Sequence, residues 1–114
     1  MRTYVAAKLH NLTVTDASVH YVGSVTVDAA LLARAGIDAY EAVDVVNLNN
    51  GARWTTYVIP GSRGVFTLNG GGARLGVIGD RCVLIAYRQS ERFERAAVVF
   101  VDESNDIDHA TQYP

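Results

Sequence analysis

Charge and cysteine are both scarce in this chain. Of its 114 residues 19% are charged, against about 25% in ordinary globular domains, and there is a single cysteine. One cysteine excludes a disulfide framework and leaves no thiolate partner for a zinc cluster; Cys82 also sits in an apolar run, as a core residue would. A reducing cytoplasm is therefore the expected location. No apolar run exceeds six residues (Cys82–Tyr87 and Ala96–Val101), where a membrane-spanning helix needs about 20. Met1-Arg2-Thr3-Tyr4 alternates instead of opening the continuous apolar core of a signal peptide. A formal net charge of −2 supplies no basic field for nucleic acid or anionic lipid. What is abundant is apolar side chain, at 49%, too much for a disordered chain. In a length that suits one domain, low charge leaves apolar surface to spare, which points to a subunit interface.

Strand signals dominate. Thr3–Thr15 sets Val5, Ala7 and Leu9 on one side and Lys8 and His10 on the other. His20–Val27 is a second β-branched stretch, interrupted by Gly23. Asp28 is the N-cap of a short helix over Ala29–Ala35, which Gly36 ends in a left-handed conformation. Asn50-Gly51, a dipeptide that tolerates positive φ, joins Val43–Leu48 and Arg53–Ile59 as a hairpin, and Pro60-Gly61 closes its second strand. Val65–Leu68, Arg81–Arg88 and Arg95–Val101 are further strands. From Asp102 onward the chain is polar and expected to be a loose tail. Seven or so short strands with one or two short helices predict a mainly β fold closed into a small barrel, which removes exposed edges.

Familiar catalytic constellations are missing: no nucleophile elbow, P-loop or dinucleotide fingerprint, and His10, His20 and His109 are too scattered to bind a metal. Three features remain. Lys8 is the only lysine, every other cation being arginine; either arginine bias explains it, or a compact ammonium of tunable pKa is wanted on the face it shares with His10. Gly23-Ser24 interrupts a β-branched stretch, as a bulge would; alternatively the serine hydroxyl attacks the preceding peptide carbon in an N→O acyl shift. Asn69-Gly70-Gly71-Gly72-Ala73 is either a plain turn or a nest of backbone N–H groups that binds an anion. Arg53, Thr55 and Tyr57 alternate on one strand face, placing a cation near a phenol.

Four separated motifs, Lys8-Leu9-His10, His20-Tyr21-Val22-Gly23-Ser24, Asn50-Gly51-Ala52-Arg53-Trp54-Thr55-Thr56-Tyr57 and Asn69-Gly70-Gly71-Gly72-Ala73, together resemble the aspartate 1-decarboxylase family in order and spacing. The resemblance runs from Arg2 to about Asp102. It implies a double-psi β-barrel domain over 1–102 with a polar tail over 103–114, assembled as a homotetramer with active sites between subunits. It also implies cleavage between Gly23 and Ser24, the ester eliminating to dehydroalanine and hydrolysing to a pyruvoyl cofactor. That group forms a Schiff base with L-aspartate and serves as electron sink, giving β-alanine and CO2 for pantothenate and coenzyme A biosynthesis. By the same resemblance Thr56 assists the acyl shift and contacts substrate, and Tyr57 returns a proton to Cα. Arg53 and Lys8 meet the carboxylates, and Gly70, Gly71 and Gly72 bind through backbone N–H groups. His10 and Asn69 line the site, while Tyr21 and Val46 shape the pocket.

Departures from the family pattern concern substrate affinity more than reaction type. The turn around Gly61–Gly64 is short, three glycines stand at 70–72 in place of a glycine-alanine mixture, Arg74 replaces a histidine, and no tryptophan lies near Val46. Two other readings compete with the decarboxylase. One is a non-catalytic or unprocessed barrel used for binding or assembly; the other is a lysine-based decarboxylase in which Lys8 forms the Schiff base.

Overall fold

Alternation along each strand decides which side chains enter the interior. The computed structural model describes residues 1–114. Its elements are β1 (Arg2–Thr13), β2 (Asp16–Ser18), β3 (Ser24–Asp28), α1 (Ala29–Ala35), β4 (Ala42–Asn47), β5 (Arg53–Gly61), β6 (Phe66–Asn69), a 3₁₀ turn (Gly70–Arg74), β7 (Arg81–Ser90), β8 (Ala96–Val101) and β9 (Ile107–Tyr113). On β3, Val25 and Val27 point inward and Ser24 and Thr26 outward; on β6, Phe66 and Leu68 point inward and Thr67 and Asn69 outward. The inward set packs with Leu9, Val45, Val58 and Leu84 into one core of 20 buried residues. Each such side chain withdrawn from water contributes roughly 1.5–3 kcal/mol.

The sheet order is β2-β6-β3-β5-β4-β7-β1-β8-β9. The chain itself closes this sheet, because β1 near one side runs through Val14 and Thr15 into β2 at the other. Both linking residues are bonded: the Val14 N–H donates to the Asp80 carbonyl at 2.9 Å and the Thr15 N–H to the Phe66 carbonyl at 2.8 Å. The result is the expected small, mainly β barrel, with β8 and β9 added outside the closure. Helix α1 also forms as expected. Asp28 Oδ1 accepts from the Ala30 N–H at 2.8 Å, Gly36 ends the helix at φ +73°, and Leu31, Leu32 and Ala35 face the core. No helix is long and apolar enough to cross a membrane.

Three expectations change. The stretch His20–Val27 is a strand only from Ser24, because the ladder to β6 begins at Ser24↔Asn69; residues 20–23 turn through solvent, with Val22 81% exposed. The expected loose tail is instead β9, antiparallel to β8 from Ala96↔Tyr113 to Val101↔Ile107. Its side chains are mostly polar and exposed, as composition indicated, but its backbone supplies the partners that the free edge of β8 requires. The three-residue β2, parallel to β6, is too short to leave a periodic signal.

The Asp28 carboxylate also accepts from the Gly64 N–H at 2.9 Å, tying the turn after β5 to the start of α1. Asp28→Ala is expected to cost about 2 kcal/mol, since it leaves two partly buried donors unmet. Urea unfolding would show it as a lower midpoint at unchanged slope, and an unshifted midpoint would remove Asp28 from this role.

Candidate active site

Ser24 is 2% exposed although it faces outward from the barrel. It is covered by the 20–23 turn and by the glycine turn after β6. Register places Ser24 opposite Asn69 and Thr26 opposite Thr67. The Asn69 amide donates from Nδ2 to Ser24 Oγ at 2.9 Å and to Thr26 Oγ1 at 3.0 Å. The Ser24 hydroxyl donates to the Val22 carbonyl over a long 3.4 Å. A cleft of about 450 Å³ opens here, lined by Asp16, Tyr21, Val22, Ser24, Thr26 and Asn69 among others.

The glycine turn presses directly on the Gly23-Ser24 segment. Gly70 has φ +66°, and a Cβ on it would stand 2.6 Å from Gly23 Cα and 2.9 Å from the Tyr21 carbonyl oxygen. Gly72 fits against Trp54, whose Nε1 would lie 2.9 Å from an added Cβ. A Cβ on Gly71, by contrast, meets nothing within 4 Å. Of the residues singled out in the sequence, Tyr21, Gly23, Ser24, Asn69 and Gly70 therefore meet in one place.

The residues of β5 divide between the two faces. The parallel β3–β5 ladder pairs Val25 with Val58; one step earlier on each strand stand Ser24 and Tyr57, both on the outward side. Thr56 is on the opposite side, with Trp54 and Val58, across from Val43. Arg53 does meet a phenol, but the phenol is Tyr87 and not Tyr57. Arg53 Nη2 donates to Tyr87 Oη at 2.7 Å and to Asp44 Oδ2 at 3.0 Å. Tyr87 Oη donates to the same carboxylate oxygen at 3.0 Å, and Thr55 Oγ1 donates to Asp44 Oδ1 at 2.6 Å. The Thr55 hydroxyl, then the Arg53 and Tyr87 donors, hold the Asp44 carboxyl below its ordinary range; burial and the neighbouring carboxylate push the Tyr87 phenol up. Val46 pairs with Arg53 and does not line the Ser24 cleft.

Lys8 and His10 lie elsewhere on the outer surface. Lys8 pairs with Ile85 of β7 and Val98 of β8, and its Nζ sits 5.9 Å from the centroid of the Tyr113 ring. His10 stacks on Phe100 at 4.8 Å, and Phe100 on His109 at 4.4 Å. Burial and the Lys8 charge lower the His10 pKa, so its ring is neutral at pH 7. Along the sheet β7, β4 and β5 stand between β1 and β3, and neither Lys8 nor His10 lines the cleft that holds Ser24. Cys82 offers no alternative nucleophile: it is fully buried, and desolvation pushes its thiol up to about 12.

Sequence reasoning missed Asp44, Tyr87 and Thr26. Asp44 was within reach, since the hairpin turn at Asn50-Gly51 sets it opposite Thr55. Tyr87, 34 residues beyond Arg53, left no local signal.

Comparison with known proteins bears on this site. Residues 1–108 match the family described as aspartate decarboxylase. The chain is similar to a protein of Carboxydothermus hydrogenoformans named aspartate 1-decarboxylase, 50% identical over 111 residues, covering 92% of this chain and 87% of that one. Proteins of the same name from Clostridium beijerinckii (46% identical, covering 97% and 94%) and Leptospira biflexa (49%, covering 90% and 93%) are similar too.

Two outcomes are expected of the geometry. The Asp44 carboxyl, followed by NMR, should titrate below the usual midpoint near ~3.9, and Thr55→Val should move it upward. Because the folded value is the depressed one, the network's contribution is complete above the unfolded pKa and is lost as pH falls through the folded one. An unmoved midpoint would discard the Thr55 hydrogen bond as the main cause. Gly71→Ala should fold normally, whereas Gly70→Ala should lower the melting temperature by several degrees or prevent the turn from closing on Gly23. Equal behaviour of the two variants in a thermal melt would refute the close approach.

Proposed function

Because the chain belongs to the aspartate decarboxylase family, it converts L-aspartate to β-alanine and CO2 for pantothenate and coenzyme A, and we propose that it does so with a pyruvoyl group made from its own Ser24. The observation that carries this reading is the contact of Gly70 with Gly23 beside the Asn69–Ser24 hydrogen bond. Together they hold the Gly23-Ser24 peptide on both sides. Those residues fit the group. Ser24 Oγ would attack the Gly23 carbonyl carbon, the peptide C–N bond would break, and the hydroxyl proton would pass to the Ser24 nitrogen, leaving an ester and a free amine. A pyruvoyl group at position 24, held between Asn69 and Gly70, would supply the electron sink that decarboxylation of an amino acid needs.

The remaining roles follow the family resemblance. Tyr57, outward on β5 in line with Ser24, returns the proton to Cα. Thr56 faces the other side of that strand from Ser24, so its part in the acyl shift is drawn from the family resemblance and not from a contact within one chain. Arg53 spends Nη2 on Asp44 and Tyr87 and offers the rest of its fork to a carboxylate. Gly70, Gly71 and Gly72 open a single 3₁₀ turn, whose first N–H groups have no intrahelical acceptor and can receive substrate oxygens. Lys8 and His10 are a second source of polar groups, and neither lines the Ser24 cleft of its own chain. Their separation supports a homotetramer in which the outer face of one barrel meets the cleft of the next. A cytoplasmic location agrees with the single buried cysteine. The barrel over 1–102 would mature as two chains, 1–23 and 24–114. Nothing favours Lys8 as the covalent residue, since its ammonium lies by Tyr113 and away from the cleft.

Intact mass spectrometry after prolonged incubation should find two fragments divided at Gly23/Ser24, the larger blocked by a pyruvoyl group. Ser24→Ala should remain one inactive chain; a processed or active Ala variant overturns the reading. Tyr57→Phe should still cleave but lose turnover by about 10²–10⁴-fold. Full β-alanine production by that variant would take the proton-donor role from Tyr57.

A further inference from the structure

We propose that Thr26 is a positioning residue for self-cleavage, acting through the Asn69 amide; the inference rests on the pyruvoyl reading above. A primary amide nitrogen carries two protons, and both are committed here. One goes to Ser24 Oγ at 2.9 Å and the other to Thr26 Oγ1 at 3.0 Å. The choice of nitrogen rather than oxygen facing Ser24 follows from the serine's own proton. That proton points to the Val22 carbonyl, so Oγ can only accept from Asn69. The second N–H then needs an acceptor in a half-enclosed cleft, and Thr26 Oγ1 is the one provided.

The Thr26 side chain is itself held in place. A Cβ on Gly61 would come within 2.5 Å of Thr26 Cγ2, so the absence of that atom makes room for the threonine methyl. With the methyl seated over Gly61, the stiff χ1 of a β-branched residue keeps Oγ1 toward Asn69. Gly61, Thr26, Asn69 and Ser24 thus form one chain of positioning contacts across β5, β3 and β6.

The chemistry that needs this orientation is the elimination after the acyl shift. The Cα proton passes to solvent, the Cβ–Oγ bond breaks, and its electron pair remains on Oγ, which becomes an oxygen of the new Gly23 carboxylate. A donor fixed at that oxygen stabilises the charge as it develops. Without the Thr26 hydroxyl, the amide is free to turn its second N–H toward water and withdraw the first from Ser24.

The test compares Thr26→Val, which keeps the shape and removes the hydroxyl, with Thr26→Ser, which does the reverse. Freshly synthesised precursor is incubated, and the appearance of the two fragments is timed by intact mass spectrometry alongside a thermal melt. We expect Thr26→Val to cleave about tenfold more slowly than wild type, and Thr26→Ser, which keeps the hydroxyl but loses the seated methyl, to cleave faster than Val. Thr26→Ala, lacking both groups, should follow Val and serves as the check if Val misfolds. A packing role would produce the opposite order, with Val tolerated and Ser impaired. Wild-type cleavage by Thr26→Val, or cleavage by Thr26→Ser no faster than that of Val, overturns the proposal while leaving the pyruvoyl reading intact. A wild-type chain that never divides at Gly23/Ser24 overturns both.

Discussion

The approach of the Gly70 backbone to Gly23 is the constraint around which the site is arranged. Two chain segments 47 positions apart come so close that no Cβ fits on Gly70, and the left-handed φ of +66° removes the option of any ordinary residue there. That contact ends the β6 ladder at Asn69, which fixes the height of the amide beside Ser24. It also stops β3 from extending backwards, so residues 20–23 must turn away and cover the serine hydroxyl. A nucleophile buried beneath its own preceding peptide is what an intramolecular acyl shift requires, because bulk water is kept from the carbonyl while the attacking oxygen is held nearby. A Cβ on Gly23 would meet nothing within 4 Å, so that side of the residue is open.

All the polar chemistry lies on the outside of the barrel. The interior is filled by Leu9, Val25, Val45, Val58, Phe66 and Leu84 and has no room for a substrate. The outward faces of β3, β4, β5 and β6 carry hydroxyls, amides and the Asp44–Arg53–Tyr87 network instead. An outward site has a cost, since open water weakens every charge interaction the reaction depends on. In the proposed tetramer a second barrel would exclude that water. The low charge of the chain and exposed Tyr21 and Val22 fit such a covered surface.

Legibility in the sequence followed the range of the interaction. Asp28, Gly36 and the Asn50-Gly51 turn are local signals, and helix α1 and the β4–β5 hairpin formed where they were read. Strand β9 was hidden because its polar side chains resemble a tail, and only the unpaired edge of β8 explains it. The stretch from His20 to Gly23 looked like strand because Tyr21 and Val22 have β propensity, yet no partner backbone lies beside them. At the site, Gly23-Ser24 and Asn69-Gly70 stood out as glycine interruptions, and motif resemblance gave them their roles. Tyr87 and Thr26 belong to no such motif. Their importance comes from tertiary contacts, one to Arg53 and one to Asn69, that no spacing along the chain encodes.

Cleavage at residue 23 would not dismantle this architecture. The fragment before the cut contains β1 and β2, and β1 is paired on both sides, antiparallel to β7 from Arg2↔Ser90 to Thr13↔Arg81 and parallel to β8. Leu9 and Leu12 anchor it in the core with no exposed surface. What the cut releases is the 20–23 turn, where Tyr21 and Val22 are exposed. Breaking the chain there trades a constrained, solvent-facing turn for two free ends, at little loss of buried apolar area. The barrel can therefore use one of its own peptide bonds as raw material because the strands on either side of that bond are held by neighbours other than each other.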